Sequence, residues 1–227
     1  MNDLFDRPAH EPIAPGAVLL HGEALGDAPQ LWADLAPVLV AAPLRHLVTP
    51  GGYRMSVAMS NCGPLGWVSD ERGYRYAPID PEGGRPWPAM PASFCALAAR
   101  AAARAGYPGF APDACLVNRY AAGARLTLHQ DRDEHDKRQP IVSVSLGLPA
   151  TFLFGGAKRS DRPHRLPLVH GDVVVWGGPS RLAYHGVLPL AEGEHPLTGS
   201  FRFNLTFRCA GRTAAAGAGG AGGQCGP

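Results

Sequence analysis

The sequence predicts an α+β fold in which N-terminal helices precede a jelly-roll core of two β-sheets. From residue 115 onward, short apolar and β-branched runs alternate with Gly-containing turns, which is typical of a jelly roll. Before residue 115, two segments carry the apolar period of amphipathic helices. The predicted core strands span residues 116–120, 126–129, 141–148, 151–154, 165–169, 172–176, 184–188 and 200–208.

The N-terminal segment is expected to be less regular than the core. Residues 1–16 are rich in proline and acidic groups and are interpreted as an irregular lead-in, followed by a short strand over 17–20. A first helix is predicted over 29–39. Pro37 is expected to break or end it, because proline lacks the amide hydrogen and clashes with the preceding turn.

A second helix is predicted over residues 93–105. Phe94 and Leu97 fall on one apolar face, and Ser93 is the expected N-cap, since a hydroxyl oxygen can accept from the free amides of the first turn. Gly106 follows the last turn and is expected to end the helix.

Composition bounds the class of protein. The 227 residues are 45 % hydrophobic and 18 % charged, which suffices for one compact core and excludes a wholly disordered chain. We expect a single domain over 1–212, with its jelly-roll core over 115–211, and a flexible Gly/Ala tail over 213–227. The formal net charge of +2 permits a polyanionic partner without requiring one.

Features that bear on location point to the cell interior. Five scattered cysteines without a Cys-x-x-Cys pair indicate free thiols in a reducing compartment. The first residues lack the pattern of a signal peptide, and no apolar run reaches membrane-spanning length. We therefore expect a soluble, cytoplasmic monomer.

Residues 46–90 interleave aromatic and arginine side chains between glycines and prolines. One interpretation is a hairpin layer that packs Trp67, Tyr74 and Tyr76 on the core. The other is a lid that stacks nucleic-acid bases and contacts phosphates. Sequence patterns alone leave both open.

The triplet His129-Gln130-Asp131 is a candidate metal site. It is weak evidence by itself, because the chain contains a second triplet, His170-Gly171-Asp172, which we interpret as a turn. Strand alternation would place His129 and Asp131 on one face if the strand ending at His129 continues. Together with His185 they would offer two imidazoles and one carboxylate, which leaves positions open on Fe(II), as a closed structural zinc site does not.

The run 202–208 alternates polar and apolar residues. Its polar face consists of Arg202, Asn204, Thr206 and Arg208. Such a face ordinarily points to solvent, but two guanidiniums beside an amide also form a wall suited to carboxylates. Asn118 and Tyr120 share a face of another predicted strand. A small 2-oxo diacid, chelating iron at one end and held at the other, fits these donors.

Several motifs outside the metal site match one family. They are Thr49-Pro-Gly-Gly-Tyr-Arg-Met-Ser-Val-Ala-Met59, Pro86-Trp-Pro-Ala-Met-Pro91, Asn118-Arg-Tyr-Ala121, Leu128-His-Gln-Asp-Arg-Asp-Glu134, Pro140-Ile-Val-Ser-Val-Ser-Leu-Gly-Leu-Pro149, His170-Gly-Asp-Val-Val-Val-Trp-Gly-Gly178, Tyr184-His-Gly186 and Arg202-Phe-Asn-Leu-Thr-Phe-Arg208. Over roughly residues 15–211 the chain resembles the AlkB-type Fe(II)- and 2-oxoglutarate-dependent dioxygenases, most nearly their bacterial DNA-repair members.

The resemblance implies a double-stranded β-helix form of the jelly roll, with a β-hairpin nucleotide-recognition lid over 46–90. It implies Fe(II), the co-substrate 2-oxoglutarate and O2. The expected activity is oxidative demethylation of N-alkylated bases, of the 1-methyladenine and 3-methylcytosine type, in single-stranded or flipped-out DNA. Decarboxylation of 2-oxoglutarate drives hydroxylation of the alkyl group, formaldehyde is released, and alkylation damage is reversed directly.

The resemblance also implies roles for particular residues. His129, Asp131 and His185 would bind Fe(II). Arg202, Asn118 and Tyr120 would hold the distal carboxylate of 2-oxoglutarate, with Asn204 and Arg208 near the carboxylate beside the iron. The residues expected to contact substrate are Trp67 on the base opposite His129, Tyr74 and Tyr76 at phosphates, Asp133 at the exocyclic amine, and Arg159.

Some features leave alternatives open. His135 and Pro64 depart from the family pattern and could alter substrate choice. The same iron chemistry could serve an RNA demethylase or a protein hydroxylase, since no residue visibly recognises a 2′-hydroxyl. A jelly-roll module that binds a metal or 2-oxoglutarate without turnover is the rival from another class.

Overall fold

The computed structural model describes residues 8–211, which form two helices and thirteen strands. The helices are α1 (Ala28–Ala41) and α2 (Ala92–Arg104), and a short 3₁₀ turn spans Gly178–Ser180. The strands are β1 (His10–Ala14), β2 (Ala17–Leu20), β3 (Ala58–Cys62), β4 (Gly66–Asp70), β5 (Gly73–Ala77), β6 (Ala114–Tyr120), β7 (Leu126–His129), β8 (Ile141–Gly147), β9 (Ala150–Phe154), β10 (His164–Leu168), β11 (Val173–Trp176), β12 (His185–Val187) and β13 (Arg202–Arg208). The tail predicted over 213–227 lies outside the described residues.

The strands form two main antiparallel sheets and a separate hairpin. The major sheet has the order β1-β2-β11-β8-β13-β6-β3, and the minor sheet has the order β10-β9-β12-β7. Strands β4 and β5 pair with each other within 66–77. The predicted α+β fold with a jelly-roll arrangement is confirmed. A hairpin is present inside the segment 46–90, while its use as a lid stays a prediction.

The central strands of the major sheet are buried on both faces. The helices cover one face, where Leu35, Phe94 and Leu97 pack against strand residues such as Leu205 and Phe207. The minor sheet covers the other face in a second apolar cluster that includes Phe152, Phe154, Ile141 and Trp176. Because both faces are covered, β6, β8 and β13 lie almost wholly out of solvent.

Strand β13 lies between β6 and β8 near the middle of this sheet. Its apolar residues Phe203, Leu205 and Phe207 belong to the cluster beneath the helices. Alternation therefore turns its polar side chains toward the space between the two sheets. The solvent-facing alternative for these side chains is wrong, since all four are buried.

Helix α1 continues through Pro37, so the predicted break there is wrong. Pro37 lies on the exposed side of the helix, whereas Leu31, Leu35 and Val38 are buried beneath it. The carbonyl that loses its amide partner can therefore reach solvent, and packing of the opposite face outweighs the local cost of proline.

Two further N-terminal details differ from the sequence prediction. Pro91, not Ser93, precedes the first turn of α2, and the Ser93 hydroxyl instead donates to Asp34 across the two helices. Part of the lead-in is a strand, β1, which pairs with β2 at the edge of the major sheet. Local sequence could not reveal the Ser93 partner, because Asp34 lies 59 residues away. Strand β1 is held by the neighbouring β2, which in turn pairs with β11 of the major sheet.

Cys62, Cys115 and Cys209 are buried free thiols, as predicted for these three. The prediction of free thiols is wrong for Cys95, which is disulfide-bonded. Neither helix in the described part of the chain combines the length and apolar character needed to cross a bilayer.

Truncation of the core side chain at Leu205 should destabilise the fold strongly. Leu205 is fully buried in β13, so Leu205→Ala is expected to lower the free energy of unfolding by about 2–5 kcal/mol through lost burial and a residual cavity. Leu25→Ala is the matched control, because Leu25 is 53 % exposed, and it should cost less than about 1 kcal/mol. Urea denaturation measures both, and equal losses would contradict this account of the core.

Candidate active site

Two histidines and one aspartate meet at the end of the minor sheet. His185 at the start of β12 pairs with His129 at the end of β7, so their rings lie side by side with centroids 4.4 Å apart. Asp131 follows β7, and its carboxylate oxygens lie 3.7 Å from the Nε2 atom of each histidine. One potential ligand atom from each residue lies within 4.8 Å of the others. This spacing fits a single metal ion.

The backbone sets the orientation of both imidazoles. His129 Nδ1 donates to the carbonyl of Thr127 at 2.8 Å, and His185 Nδ1 donates to the carbonyl of Ala183 at 3.0 Å. A carbonyl can only accept, so each ring carries its proton on Nδ1. The Nε2 lone pairs are thereby left available to a metal, which is how ligating histidines are usually held.

Arg208 holds Asp131 in its charged form. Its Nε and Nη2 atoms donate to the same carboxylate oxygen at 3.1 and 2.6 Å. Burial alone raises the pKa of Asp131, but the charge of Arg208 and then the nearby histidines outweigh it, so that pKa lies well below its ordinary value. Asp131 is therefore a carboxylate at neutral pH.

His185 is held neutral by its surroundings. Burial, followed by the repulsion of His129, lowers the pKa of His185 from 6.5 to about 4. A neutral imidazole can bind a metal without first losing a proton.

Arg202 is buried, and some of its hydrogen-bond donors have no partner in the described part of the chain. It is 1 % exposed, and among the residues that the structure describes only its Nη2 atom has a hydrogen-bond partner, the Ser145 hydroxyl at 3.0 Å. Within residues 8–211, its Nε and Nη1 atoms and the Asn118 Oδ1 atom have no partner. The guanidinium also lies 5.0 Å from the centre of the Tyr120 ring. A buried cation without a counter-charge is costly, so this site fits a bound carboxylate.

Asn204 is engaged by its own protein neighbours. Its amide nitrogen donates to the Ser143 hydroxyl at 2.8 Å and to the Val144 carbonyl at 3.0 Å. Its oxygen accepts from Thr206 at 2.7 Å and Asn118 at 3.2 Å. Asn204 thus orders the polar face of β13.

One cavity of about 820 Å³ connects these groups. The predicted site residues that line it are Trp67, Tyr74, Asn118, Tyr120, His129, Asp131, Asp133, Arg159, His185, Arg202, Asn204 and Arg208. The cavity therefore brings together a metal group, a buried carboxylate receptor and an aromatic wall.

Most of the chain matches known oxygenases in sequence. The model of the "2OG-Fe(II) oxygenase superfamily" matches residues 16–208. The chain belongs to this superfamily. It is 62 % identical to the "Alpha-ketoglutarate-dependent dioxygenase AlkB" of Escherichia coli (strain K12), an alignment that covers 93 % of this chain and 99 % of that protein. The protein of the same name from Salmonella typhimurium is 59 % identical, over 92 % of this chain and 97 % of its own length.

A solved structure agrees with the fold. "The structure of OsALKBH1" superimposes with a TM-score of 0.78 at 29 % identity, covering 88 % of this chain and 99 % of that one. The chain is thus an AlkB-type Fe(II)/2-oxoglutarate-dependent dioxygenase, and His129, Asp131 and His185 are its candidate iron group.

The aromatic wall of this oxygenase is tied to the loop after β7. The indole Nε1 of Trp67 donates to the Asp133 carboxylate at 2.9 Å. Trp67 also stacks on Tyr74, with ring centroids 5.5 Å apart and planes 13° from parallel. Asn61 fixes the Trp67 backbone through hydrogen bonds in both directions, at 2.9 and 3.0 Å.

Of the predicted substrate residues, Arg159 lines the cavity and Tyr76 does not. Arg159 is exposed and lies at the cavity wall. Tyr76 does not line the cavity, and its hydroxyl donates inward to Glu134 at 2.9 Å. Burial raises the pKa of Tyr76 well above its ordinary value, so the hydroxyl keeps its proton. A contact between Tyr76 and phosphate stays a prediction.

Sequence reasoning missed two buried charges beside the oxygenase site. Glu134 is 3 % exposed and accepts a hydrogen bond from Arg181, which is equally buried. No local signal distinguishes Glu134 from its acidic neighbours. The partner lies 47 residues away, so only the folded chain reveals the pair.

The two departures from the family pattern are peripheral. His135 is exposed and does not join the three-residue metal group found among residues 8–211. Pro64 is exposed in the turn between β3 and β4.

The metal-free protein should lose stability as the pH falls from about 6.5 to 4. The folded pKa of His185 lies below its ordinary 6.5, so the unfolded state binds more protons in this window. The stabilising contribution is complete above about pH 6.5, and up to about 3 kcal/mol is lost as the pH approaches 4. The free energy of unfolding can be measured by urea titration at several pH values with a metal chelator present. Between about pH 6.5 and 4 it should fall less in His185→Gln than in the control His164→Gln, because His164 is exposed. Identical slopes would contradict the assignment.

Proposed function

We propose that this oxygenase demethylates N-alkylated bases, of the 1-methyladenine and 3-methylcytosine type, in single-stranded or flipped-out DNA. The supporting observation is that one cavity holds the His-Asp-His group, the buried Arg202 receptor and the Trp67–Asp133 pair. The close relatives named as AlkB dioxygenases support the same activity. Formaldehyde release would restore the base, which is a direct reversal of alkylation damage.

His129, Asp131 and His185 are the proposed Fe(II) ligands. Bound Fe(II) would supply oxygen activation that couples decarboxylation of 2-oxoglutarate to hydroxylation of the alkyl carbon. The chain's own part is to place the proton of each neutral imidazole on Nδ1, through the carbonyls of Thr127 and Ala183, and to keep Asp131 charged through the guanidinium of Arg208.

Arg202 is the proposed receptor for the distal carboxylate of 2-oxoglutarate. Its unpartnered Nε and Nη1 atoms can donate two parallel hydrogen bonds, and Asn118 and Tyr120 complete the pocket. Asn204 and Arg208 would lie near the carboxylate beside the iron. The co-substrate would thus neutralise a cation that the fold buries without a carboxylate partner among the described residues.

Trp67 and Asp133 are the proposed recognition pair for the base. Trp67 would stack on the base opposite His129, and Asp133 would accept from its exocyclic amine. A base methylated at a ring nitrogen is cationic, so a carboxylate discriminates in its favour. The methyl group lies on the pairing edge, and the nucleotide must therefore be single-stranded or flipped out.

The rest of segment 46–90, together with Arg159 at the cavity wall, would hold the strand. We propose that this segment is the nucleotide-recognition lid of a single domain over 1–212, with the core at 115–211. Tyr74 and Arg159 are its proposed phosphate contacts, whereas the Tyr76 hydroxyl donates inward to Glu134. The exposure of Tyr74 and Arg159 at the cavity supports their part in this assignment.

Loss of one histidine ligand should abolish the metal complex. Anaerobic Fe(II) with 2-oxoglutarate is expected to give the weak visible charge-transfer band of a chelated complex, and His129→Ala should eliminate it. His135→Ala is the matched control, since His135 is exposed outside the metal group, and it should keep the band. A band retained in His129→Ala would show that the ligand assignment is wrong.

Methylated DNA should drive coupled turnover. With Fe(II), 2-oxoglutarate and O2, single-stranded DNA bearing 1-methyladenine should yield formaldehyde and succinate together, above an unmodified control. Asp133→Ala is expected to lower kcat/KM about tenfold to a hundredfold, the range for losing a charged hydrogen bond. Asp136→Ala, three residues along the same loop and not part of the cavity wall, should have little effect.

Three outcomes would count against parts of this proposal. A higher kcat/KM with methylated RNA than with methylated DNA would mean that RNA is the substrate. Succinate formed equally with every sample would argue against nucleic-acid demethylation. Unchanged kinetics in Asp133→Ala would remove Asp133 from base recognition.

A further inference from the structure

Glu134 is a buried carboxylate with partners on three sides. Its Oε1 atom accepts from the Tyr76 hydroxyl at 2.9 Å, and its Oε2 atom accepts from Arg181 Nη2 at 2.9 Å. Arg208 Nε lies 3.3 Å from Oε1. A charge at 3 % exposure is tolerated only when it is paired and hydrogen-bonded in this way. Glu134 is therefore held rigidly between separate parts of the chain.

On one side, Glu134 reaches the hairpin. Tyr76 lies in β5, which pairs with β4, and β4 carries Trp67. Two-stranded hairpins are marginal by themselves and need contacts with the rest of the protein. Two hydrogen bonds connect this hairpin to the loop after β7: the exposed one from Trp67 to Asp133 and the more buried one from Tyr76 to Glu134. The buried bond is less weakened by competing water.

On the other side, Glu134 reaches the metal carboxylate. Arg208 donates to Asp131 while its Nε atom remains in ion-pair range of Glu134. Arg181 donates to the backbone carbonyl of Asp131 at 2.7 Å with Nη1 and to Glu134 with Nη2. Two guanidiniums thus hold Asp131 and Glu134 in a fixed relation.

Arg181 also fixes the far end of the same loop. Its Nε atom donates to the carbonyl of Gln139 at 2.9 Å. One buried side chain therefore spans the loop from Asp131 to Gln139, between which Asp133 and Glu134 lie. Because the planar guanidinium donates in set directions, the loop cannot shift without breaking several charged hydrogen bonds.

We propose that Glu134 is a positioning residue that fixes the β4–β5 hairpin relative to the metal carboxylate Asp131, with Tyr76 as the latch on the hairpin. The latch keeps Trp67 in the wall of the cavity that His129 also lines before substrate arrives, so less ordering remains to be done on binding. The contact between Tyr76 and Glu134 does not depend on the proposed function. Only the effect of this latch on nucleic-acid binding rests on that function.

Hydrogen exchange of the metal-free protein tests the latch directly. Tyr76→Phe removes one hydroxyl and keeps the ring, and exchange at amides within 66–77 should become about tenfold faster, as expected for losing a hydrogen bond to a charged partner. Amides of β8 and β13 should be unaffected. The matched control is Tyr107→Phe, which loses a hydroxyl bond to the Gly16 carbonyl away from the hairpin and should leave exchange at 66–77 unchanged.

Glu134→Gln tests whether Glu134 and Tyr76 hold the hairpin through the same contact. Glutamine removes the charge that Arg181 and Arg208 hold in place, so the acceptor of the Tyr76 hydroxyl is neutral and no longer fixed. Exchange at 66–77 should rise in this variant, and adding Tyr76→Phe should raise it less than twofold further, because both changes release the same contact. If the increases in exchange rate multiply fully in the double variant, the two residues act separately and the latch is overturned. The latch is also overturned if hairpin exchange is unchanged in Tyr76→Phe, or if exchange rises equally throughout the protein.

Kinetics test the consequence for binding. Tyr76→Phe should raise KM for a methylated oligonucleotide several-fold, while kcat and KM for 2-oxoglutarate stay within about twofold. A raised KM without faster hairpin exchange would indicate a direct contact with the strand and overturn the latch. Faster exchange with an unchanged KM would overturn the role in substrate binding. Absence of any nucleic-acid turnover would overturn the proposed function while leaving the exchange result to decide the latch.

Discussion

The burial of two arginines on one face of β13 is the constraint on which the site depends. Arg202 and Arg208 lie six residues apart, so alternation turns both into the space between the sheets. A buried guanidinium must find acceptors, and the two arginines find them differently. Arg208 is paired with Asp131 and Glu134 inside the protein, whereas Arg202 keeps two donor atoms without a partner among the described residues. One cation organises the metal group, and the other is suited to receive a co-substrate.

The metal group is shaped before any ion binds. Backbone carbonyls select the tautomer of His129 and His185, and Arg208 keeps Asp131 charged. The same loop presents Asp133 to Trp67, so the metal group and the aromatic wall share one support. An Fe(II)/2-oxoglutarate oxygenase requires this arrangement, because its reactive position must face both a co-substrate and a substrate in one cavity.

Much of the core was predictable because it rests on local periodicity. Alternation along 202–208 predicted a polar face, and the strand before His129 predicted that His129 and Asp131 would meet. Local rules were wrong where packing outweighed them: Pro37 stays inside α1, Ser93 bonds to Asp34 and does not cap its helix, and β1 forms within the supposed lead-in. The Ser93–Asp34 contact joins residues 59 positions apart, and the packing that keeps Pro37 inside α1 is tertiary, whereas β1 pairs with the neighbouring β2.

Local order in the chain is enough to indicate the candidate metal ligands, the arginine-bearing face of β13 and the family, since ligand type and strand alternation are local features. Which charges are shared depends on the folded chain. That Arg208 serves both Asp131 and Glu134, that Arg181 spans the loop between Asp131 and Gln139, and that Tyr76 turns inward to Glu134 depend on distances between segments far apart in the chain. Burial makes those contacts strong, and burial exists only once the two sheets and the hairpin have closed around the loop.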